Sequence, residues 1–267
     1  MTKKRVLFIS QEITPYLPES KMAKMGRFLP QGIQEKGKEI RTFMPRYGLI
    51  NERRNQLHEV IRLSGMNLVI DDTDHPLIIK VASIQSARMQ VYFIDNEDYF
   101  QRKHILLDEK ETFFADNYER AIFFAKGVIE TVKKLRWAPD LVHCQGWITG
   151  LVPLMLKKEY SDDPLFENTK IVYSVFDDKF DSQVDPNFKK KLLLEGFKEE
   201  DVKHIEEANF ETYSKLAIEY SDGVIEGDEE INSNIKQFVS ESKKPNLTYF
   251  PEETYIDEYN KFYDQLL

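Results

Sequence analysis

Hydrophobic and polar positions along this chain follow two periods, one near two residues and one near 3.6 residues, which are typical of strands and helices. An apolar run at residues 6–9 leads into a polar, proline-containing loop, and a helical pattern follows from about residue 23 to residue 36. Gly37 ends that pattern, and a second apolar run occupies residues 40–44. These segments form a βαβ unit, which predicts a parallel sheet with its ligand at the loop after the first strand.

The rest of the chain continues this alternation of strands and helices. Segments with a period near two predict a β-meander at residues 57–63, 65–70, 77–84 and 89–94, and apolar runs predict strands at residues 140–144, 170–175, 223–225 and 247–250. Helical patterns occupy residues 113–137, 147–159, 188–194, 210–220, 228–239 and 254–267, and a charged, poorly patterned segment covers residues 176–209.

This order predicts an α/β fold, a Rossmann-like, doubly wound and mostly parallel sheet with an added β-meander. We expect residues 1–253 to form one domain and the helix at residues 254–267 to pack back onto it.

Composition narrows the class of protein. The net charge of −9 over 267 residues argues against a nucleic-acid-binding surface. The apolar run near the N-terminus is too short for a signal peptide or a membrane span, so no membrane partner is expected. A single cysteine, Cys144, excludes a disulfide within the chain and favours a reducing compartment. We therefore expect a cytoplasmic protein.

Two common kinds of site are not predicted. The loop after the first strand has no glycine-rich phosphate motif, since Gly26 stands alone inside the helical pattern, and no cofactor is expected. Asp71, Asp72, Asp74 and His75 precede a proline and are better explained as a hairpin turn than as a metal site.

Two residues near the end of the strand at residues 140–144 are candidates for function. His143 either faces the ligand crevice or is a neutral histidine hydrogen-bonded beside the sheet. Trp147 either stacks on a sugar or packs in the core. The sequence leaves both pairs of interpretations open.

Several motifs occur in a recognisable order. They are EITPY at residues 12–16, MPRYG at 44–48, YFIDNEDYF at 92–100, DNYERAIFF at 116–124, WAPD at 137–140 and HCQGWITGL at 143–151. Together they resemble the N-terminal domain of bacterial glycogen synthase and plant starch synthase, members of glycosyltransferase family 5. These are retaining enzymes that use ADP-glucose and have two Rossmann-like domains facing a cleft, the GT-B fold.

The resemblance carries expectations for fold and site. It implies the N-terminal half of a GT-B fold, and it places Glu12, Tyr99, His143 and Trp147 where the family binds the acceptor glucan or glucose. These four are the predicted substrate-binding residues, and no catalytic residue is assigned. If Tyr99 and Trp147 are fully buried, sugar stacking on them is excluded.

The chain departs from the family at the sugar-nucleotide loop, K-T-G-G-L-x-D, which aligns with residues 18–24. Pro18 replaces the lysine, Ser20 and Lys21 replace the two glycines, and Lys24 replaces the acid. Side chains at the glycine positions obstruct a diphosphate, and proline lacks an N–H donor. Lys21 and Lys24 leave open that their side chains hold a different anion.

Further departures affect two other segments that the resemblance places at the reaction site, one of them beside the transferred glucose. Gly146 and Ile148 replace the Asp and the second His of the family's H-D-W-H segment, and Phe176 replaces its T-x-H-N histidine. The family's second domain, which supplies the cations for the diphosphate, would follow this one, and the chain ends at Leu267.

The resemblance therefore predicts a family N-domain with degenerate donor-site motifs that has lost autonomous glucosyl transfer. We expect it to bind a carbohydrate or a protein partner in glycogen metabolism. Two alternatives stay open: an ADP-glucose-dependent glucosyltransferase completed by a second polypeptide, and a purely structural subunit.

Overall fold

The computed structural model describes residues 3–177 and 186–267, so part of the poorly patterned segment lies outside the described residues. The strands are β1 (Arg5–Ser10), β2 (Glu39–Pro45), β3 (His58–Glu59), β4 (Met66–Ile70), β5 (Thr73–Ile84), β6 (Met89–Asp95), β7 (Leu141–Gln145), β8 (Lys170–Val175), β9 (Gly223–Glu226) and β10 (Asn246–Leu247). The helices are α1 (Lys21–Glu35), α2 (Glu52–Asn55), α3 (Glu97–Phe100), α4 (Asn117–Lys134), α5 (Val152–Lys158), α6 (Phe188–Leu194), α7 (Phe210–Glu219), α8 (Ser233–Ser242) and α9 (Tyr255–Leu266).

The described strands form one mixed sheet in the order β10-β9-β8-β7-β1-β2-β6-β5-β3, and β4 pairs with β5. All pairs from β10 to β6 are parallel, whereas β5 runs antiparallel to β3, β4 and β6. In the central strand β1, Phe8 lies between Thr42 of β2 and His143 of β7. The predicted α/β fold with a mostly parallel sheet and an added β-meander is confirmed.

Helix α1 begins at Lys21, two residues earlier than the pattern predicts. The reason is Ser20, whose side-chain Oγ accepts the Ala23 N–H at 2.9 Å and so caps the helix. Gly26 lets the helix approach the first loop closely, because a Cβ there would collide with the carbonyl oxygen of Glu12. Helix α1 is therefore held against the loop that carries the predicted site.

Helix α9 packs on α1 and on one face of the sheet. Its buried residues Tyr259, Phe262 and Tyr263 join β1, β7 and β8 side chains in one apolar cluster. Glycines make the contact close: a Cβ on Gly32 of α1 would lie 2.5 Å from Ile256, and one on Gly223 of β9 would lie 2.9 Å from Phe262. The packing is complementary in shape because these two positions carry no side chain.

Several predicted boundaries differ from the structure. The strand at residues 57–63 is reduced to β3, and the helix at residues 228–239 begins only at Ser233, where the Asn232 side chain caps it. The helix at residues 147–159 is divided into a short 3₁₀ turn and α5. The turn predicted at residues 71–76 is confined to Asp71 and Asp72, which have positive φ, so His75 belongs to β5 and is buried.

Candidate functional site

The crevice lies at the carboxyl ends of β1, β8 and β9, where an open parallel sheet places its ligand. A cavity of about 180 Å³ is found there, and it is called the crevice cavity below. Its lining residues are Glu12, Ser20, Lys21, Met22, Phe176 and Asp228. The cavity is small because Met22 and Phe176 belong to the apolar cluster under α1 and α9 and occupy space beside the polar groups.

Ser20 occupies the helix terminus that a diphosphate would need. Its Oγ accepts the Ala23 N–H at 2.9 Å and donates to Glu12 Oε2 at 2.6 Å. The serine thus uses one of the free N–H groups that helix termini offer to anions. It also fixes a carboxylate beside that terminus, and the carboxylate repels a second negative charge.

Both lysines considered as anion ligands are paired with carboxylates. Lys21 Nζ lies 2.5 Å from Asp228 Oδ1, and Asp228 Oδ2 accepts the Asp177 N–H at 2.8 Å. Lys24 Nζ lies 3.7 Å from Glu19 Oε2. The Lys21–Asp228 pair joins the first residue of α1 to the loop after β9, across the crevice cavity. Each ammonium group is therefore already paired with a carboxylate of the protein, and a ligand anion would have to compete with that carboxylate.

His143 is a neutral core residue. It is fully buried, with Nε2 hydrogen-bonded to Ser174 Oγ and Nδ1 hydrogen-bonded to the Tyr263 hydroxyl, both at 2.6 Å. Burial lowers the pKa of His143 to about 3, so the imidazole is uncharged at neutral pH. Of the two interpretations open from sequence, the structure favours the histidine beside the sheet, because α9 covers it.

Trp147 and Tyr99 also lie in the core, which contradicts sugar stacking on either ring. Trp147 has no exposed surface and stacks on Tyr213 at a ring-centroid distance of 4.7 Å. Tyr99 is 3% exposed, and its hydroxyl hydrogen-bonds to His75 Nε2 at 3.0 Å. Other aromatic side chains pack against both rings, so a sugar has no access to either ring face. Of the four predicted binding residues, only Glu12 lines the crevice cavity.

The backbone conformation and the close packing at Gly146 leave no room for the acid that the family has at this position. The residue has a φ of +86°, and a Cβ there would lie 2.7 Å from both the Gln11 Cβ and the Met22 sulfur. A longer side chain therefore has no room. The substitution fits this chain's own packing, in which Gln11 also accepts the Ile148 N–H at 3.2 Å.

Sequence reasoning placed Ser20 and Met22 in the aligned sugar-nucleotide loop but did not identify Ser20 as the cap of α1, and it did not identify Asp228 as a crevice residue. A serine before a helical pattern is a recognisable capping signal, so Ser20 could have been found. Asp228 has no local signal, because its position depends on the order of β8 and β9 in the sheet.

Within residues 3–177 and 186–267, no group of three or more His, Cys, Asp or Glu side chains could hold a metal ion. In the same part of the chain, no helix combines the length and apolar character needed to cross a bilayer.

The parallel sheet, its crevice and the capped helix at the end of β1 define a Rossmann-like α/β domain. The family model of the starch synthase catalytic domain matches residues 5–242, and the chain belongs to this family.

Similar proteins agree with this assignment. Glycogen synthase of Chlorobium limicola is 39% identical over 172 residues, which are 64% of this chain and 35% of the relative. Glycogen synthase of Chlorobaculum tepidum is 37% identical over 202 residues, which are 72% of this chain and 41% of the relative. The chain thus spans well under half the length of these relatives.

A solved structure shares the fold. The catalytic domain of starch synthase IV from Arabidopsis thaliana, bound to ADP and acarbose, matches with a TM-score of 0.69 and 17% sequence identity. The match covers 84% of this chain and 45% of that chain.

Proposed function

We propose that this protein is a carbohydrate-binding N-domain of the glycogen and starch synthase family that does not transfer glucose from ADP-glucose by itself. The observation that carries the proposal is the state of the donor loop, where Ser20 and Lys21 stand at the positions of the family's two glycines. Ser20 caps α1, and Lys21 is paired with Asp228 across the crevice.

The electrostatics of the loop support weak diphosphate binding. A diphosphate is held by backbone N–H groups and by cations that are free to meet it. Here Pro18 has no N–H, the Ala23 N–H is taken by Ser20, and the Glu12 carboxylate lies beside the helix terminus. Binding through Lys21 would leave Asp228 without its cation, which costs free energy that a ligand must offset.

The carbohydrate part of the proposal is supported by the family and by the solved neighbour, which is bound to acarbose as well as ADP. Because Trp147 and Tyr99 are buried, the proposal places no sugar on their rings. The sugar ligand is a glucan or a related oligosaccharide.

Isothermal titration calorimetry on the whole chain tests the proposal, with ADP-glucose, ADP and maltoheptaose as probes. We expect saturable binding of maltoheptaose and no saturable heat with either nucleotide. Tight, stoichiometric ADP-glucose binding by the wild-type chain would overturn the loss of donor binding.

A restoration variant tests whether the loop is the cause. Ser20→Gly combined with Lys21→Gly removes both the cap and the Lys21–Asp228 pair, and we expect it to gain measurable affinity for ADP. Glu19→Gly, in the same loop but outside the crevice cavity, is the matched control and is expected to gain none.

Two other functions each have one observation in their favour. The similarity to proteins named glycogen synthase favours a transferase completed by a second polypeptide, which would incorporate glucose into glycogen only in the presence of the family's C-terminal domain. The burial of Trp147 and Tyr99 favours a structural subunit, which would bind neither maltoheptaose nor nucleotide.

A further inference from the structure

A second and larger cavity lies outside the crevice, between the first half of α1, the segment after β10 and the start of α9. Its volume is about 490 Å³, against about 180 Å³ for the crevice cavity. Small-molecule sites in proteins typically occupy about 300–1,000 Å³. This cavity is called the side groove below, and its size alone suits a ligand larger than the crevice admits.

Four aromatic side chains line the side groove. Phe28 of α1 is 47% exposed, an uncommon state for a phenylalanine on a helix that is otherwise well packed. Tyr249 and Phe250, in the segment after β10, are half-buried, and Tyr255 at the start of α9 is buried. The groove therefore offers ring faces that a ligand can reach, in contrast to the enclosed rings of Trp147 and Tyr99.

The charges around these rings balance. The lining contains two lysines, Lys21 and Lys24, and two glutamates, Glu19 and Glu252, so it carries no net formal charge. Lys24 pairs with Glu19, and Lys21 pairs with Asp228 while its Nζ lies 4.1 Å from the centroid of the Tyr249 ring. An anion would meet the glutamates and a cation would meet the lysines, so the lining suits a neutral ligand with many hydrogen-bonding groups.

We propose that the side groove, and not the crevice, is the site where this chain binds an oligosaccharide. Pyranose rings have an apolar face that stacks on aromatic rings and hydroxyl groups that bond to charged side chains at the rim. The inference rests on the proposed carbohydrate-binding function and assigns it a location. Phe28 and Tyr249 supply ring surfaces, and Lys24 and Glu252 supply hydrogen bonds.

Calorimetric titration of the whole chain with maltoheptaose tests the location. Phe28→Ala and Tyr249→Ala are each expected to weaken binding at least tenfold. Phe28 is half exposed, so its replacement leaves the core intact, and circular dichroism checks the fold of both variants. Ile61→Ala, at a residue 82% exposed and outside the groove, is the matched control and is expected to bind like wild type.

The outcomes separate the inference from the proposed function. If the wild type binds and Glu12→Gln abolishes binding while both aromatic variants bind normally, the sugar lies in the crevice and the inference is overturned alone. If the wild type binds no maltoheptaose, both the proposed carbohydrate-binding function and the assignment of the side groove are overturned. If ADP displaces maltoheptaose and Lys24→Gln removes that competition, the groove is an anion site and the assignment to a neutral ligand is wrong.

Discussion

Single side chains decide what the crevice can accept. Ser20 caps α1 and holds Glu12, and Lys21 spans the crevice to Asp228. Each of these contacts satisfies a polar group inside the protein that would otherwise be available to a ligand. The polar groups of the loop are therefore satisfied within the protein, and the contacts that stabilise the loop are the same ones on which the proposed low affinity for a diphosphate rests.

His143 gives a prediction about pH. Its pKa in the folded state, about 3, lies below the ordinary value near 6.5 of the unfolded chain. Between these values the unfolded state binds the extra proton, so this contribution to stability is present above pH 6.5 and is lost as pH falls. The slope approaches about 1.4 kcal/mol per pH unit. We expect the free energy of unfolding of His143→Gln to decrease less steeply than that of the wild type as the pH falls from 7 to 4.

Urea unfolding at several pH values measures this difference. The carboxylates titrate in both proteins, and the groups facing the imidazole, Tyr259 and Tyr263, stay neutral over this range because burial raises their pKa. His58→Gln, at an exposed histidine, should match the wild type. Parallel curves for His143→Gln and the wild type would contradict the assignment of a buried neutral imidazole.

Residue types at motif positions were a partial guide to the site. The position of Glu12 beside the crevice could be predicted because it lies two residues after the end of the central strand β1. The burial of Tyr99 and Trp147 could not be predicted. The order of the motifs indicates that a residue is near the crevice, but it does not show which way the ring of that residue faces. That direction depends on Tyr213 and His75, which pack against the two rings from distant parts of the chain.

At the scale of elements, the contact between α1 and α9 depends on the missing side chain at Gly32. Gly32→Ala improves the helix propensity of α1 by about 1 kcal/mol but forces a methyl group into Ile256, a steric cost of about 1–3 kcal/mol. We expect a net loss of stability of about 1 kcal/mol. Chemical denaturation measures it.

A double-mutant cycle isolates the contact. Ile256→Ala makes room for the added methyl, so the double variant should be more stable than the sum of the single changes predicts by about 1 kcal/mol. Gly32→Ala combined with Ile61→Ala should be additive. Additivity in both pairs would mean that α9 does not press on Gly32.

Most elements were predictable because each has its own period and its own stop signal. Gly37 ends the helical pattern of α1, and Pro139 precedes β7. The predicted bounds of the elements are wrong where pairing between strands, and not the local sequence, determines the structure. Strand β5 begins at Thr73 because β4 pairs with it, although Asp74 and Pro76 are residue types that favour turns.

At the scale of the whole molecule, stability should decrease from the centre of the sheet to its edges. Strands β1 and β7 are buried and paired on both sides, whereas β3 and β10 have two residues each and lie at the ends of the sheet. We expect amide hydrogen exchange to be slowest for Phe8 and Val142 and fastest for Glu59 and Asn246.

Exchange followed by mass spectrometry or NMR under native conditions checks this order. Protection of β10 equal to that of β1 would contradict it and would indicate that the segment leading to the side groove is part of the central folding unit.

Lys21 lines both the crevice cavity and the side groove, and this shared residue connects the two. Its ammonium group meets Asp228 on the crevice side and the Tyr249 ring on the groove side. A ligand that shifts this group in one cavity changes the charge and shape of the other. If both cavities hold ligands, thermodynamic linkage requires this effect to be mutual, so that each ligand would change the affinity for the other by the same factor.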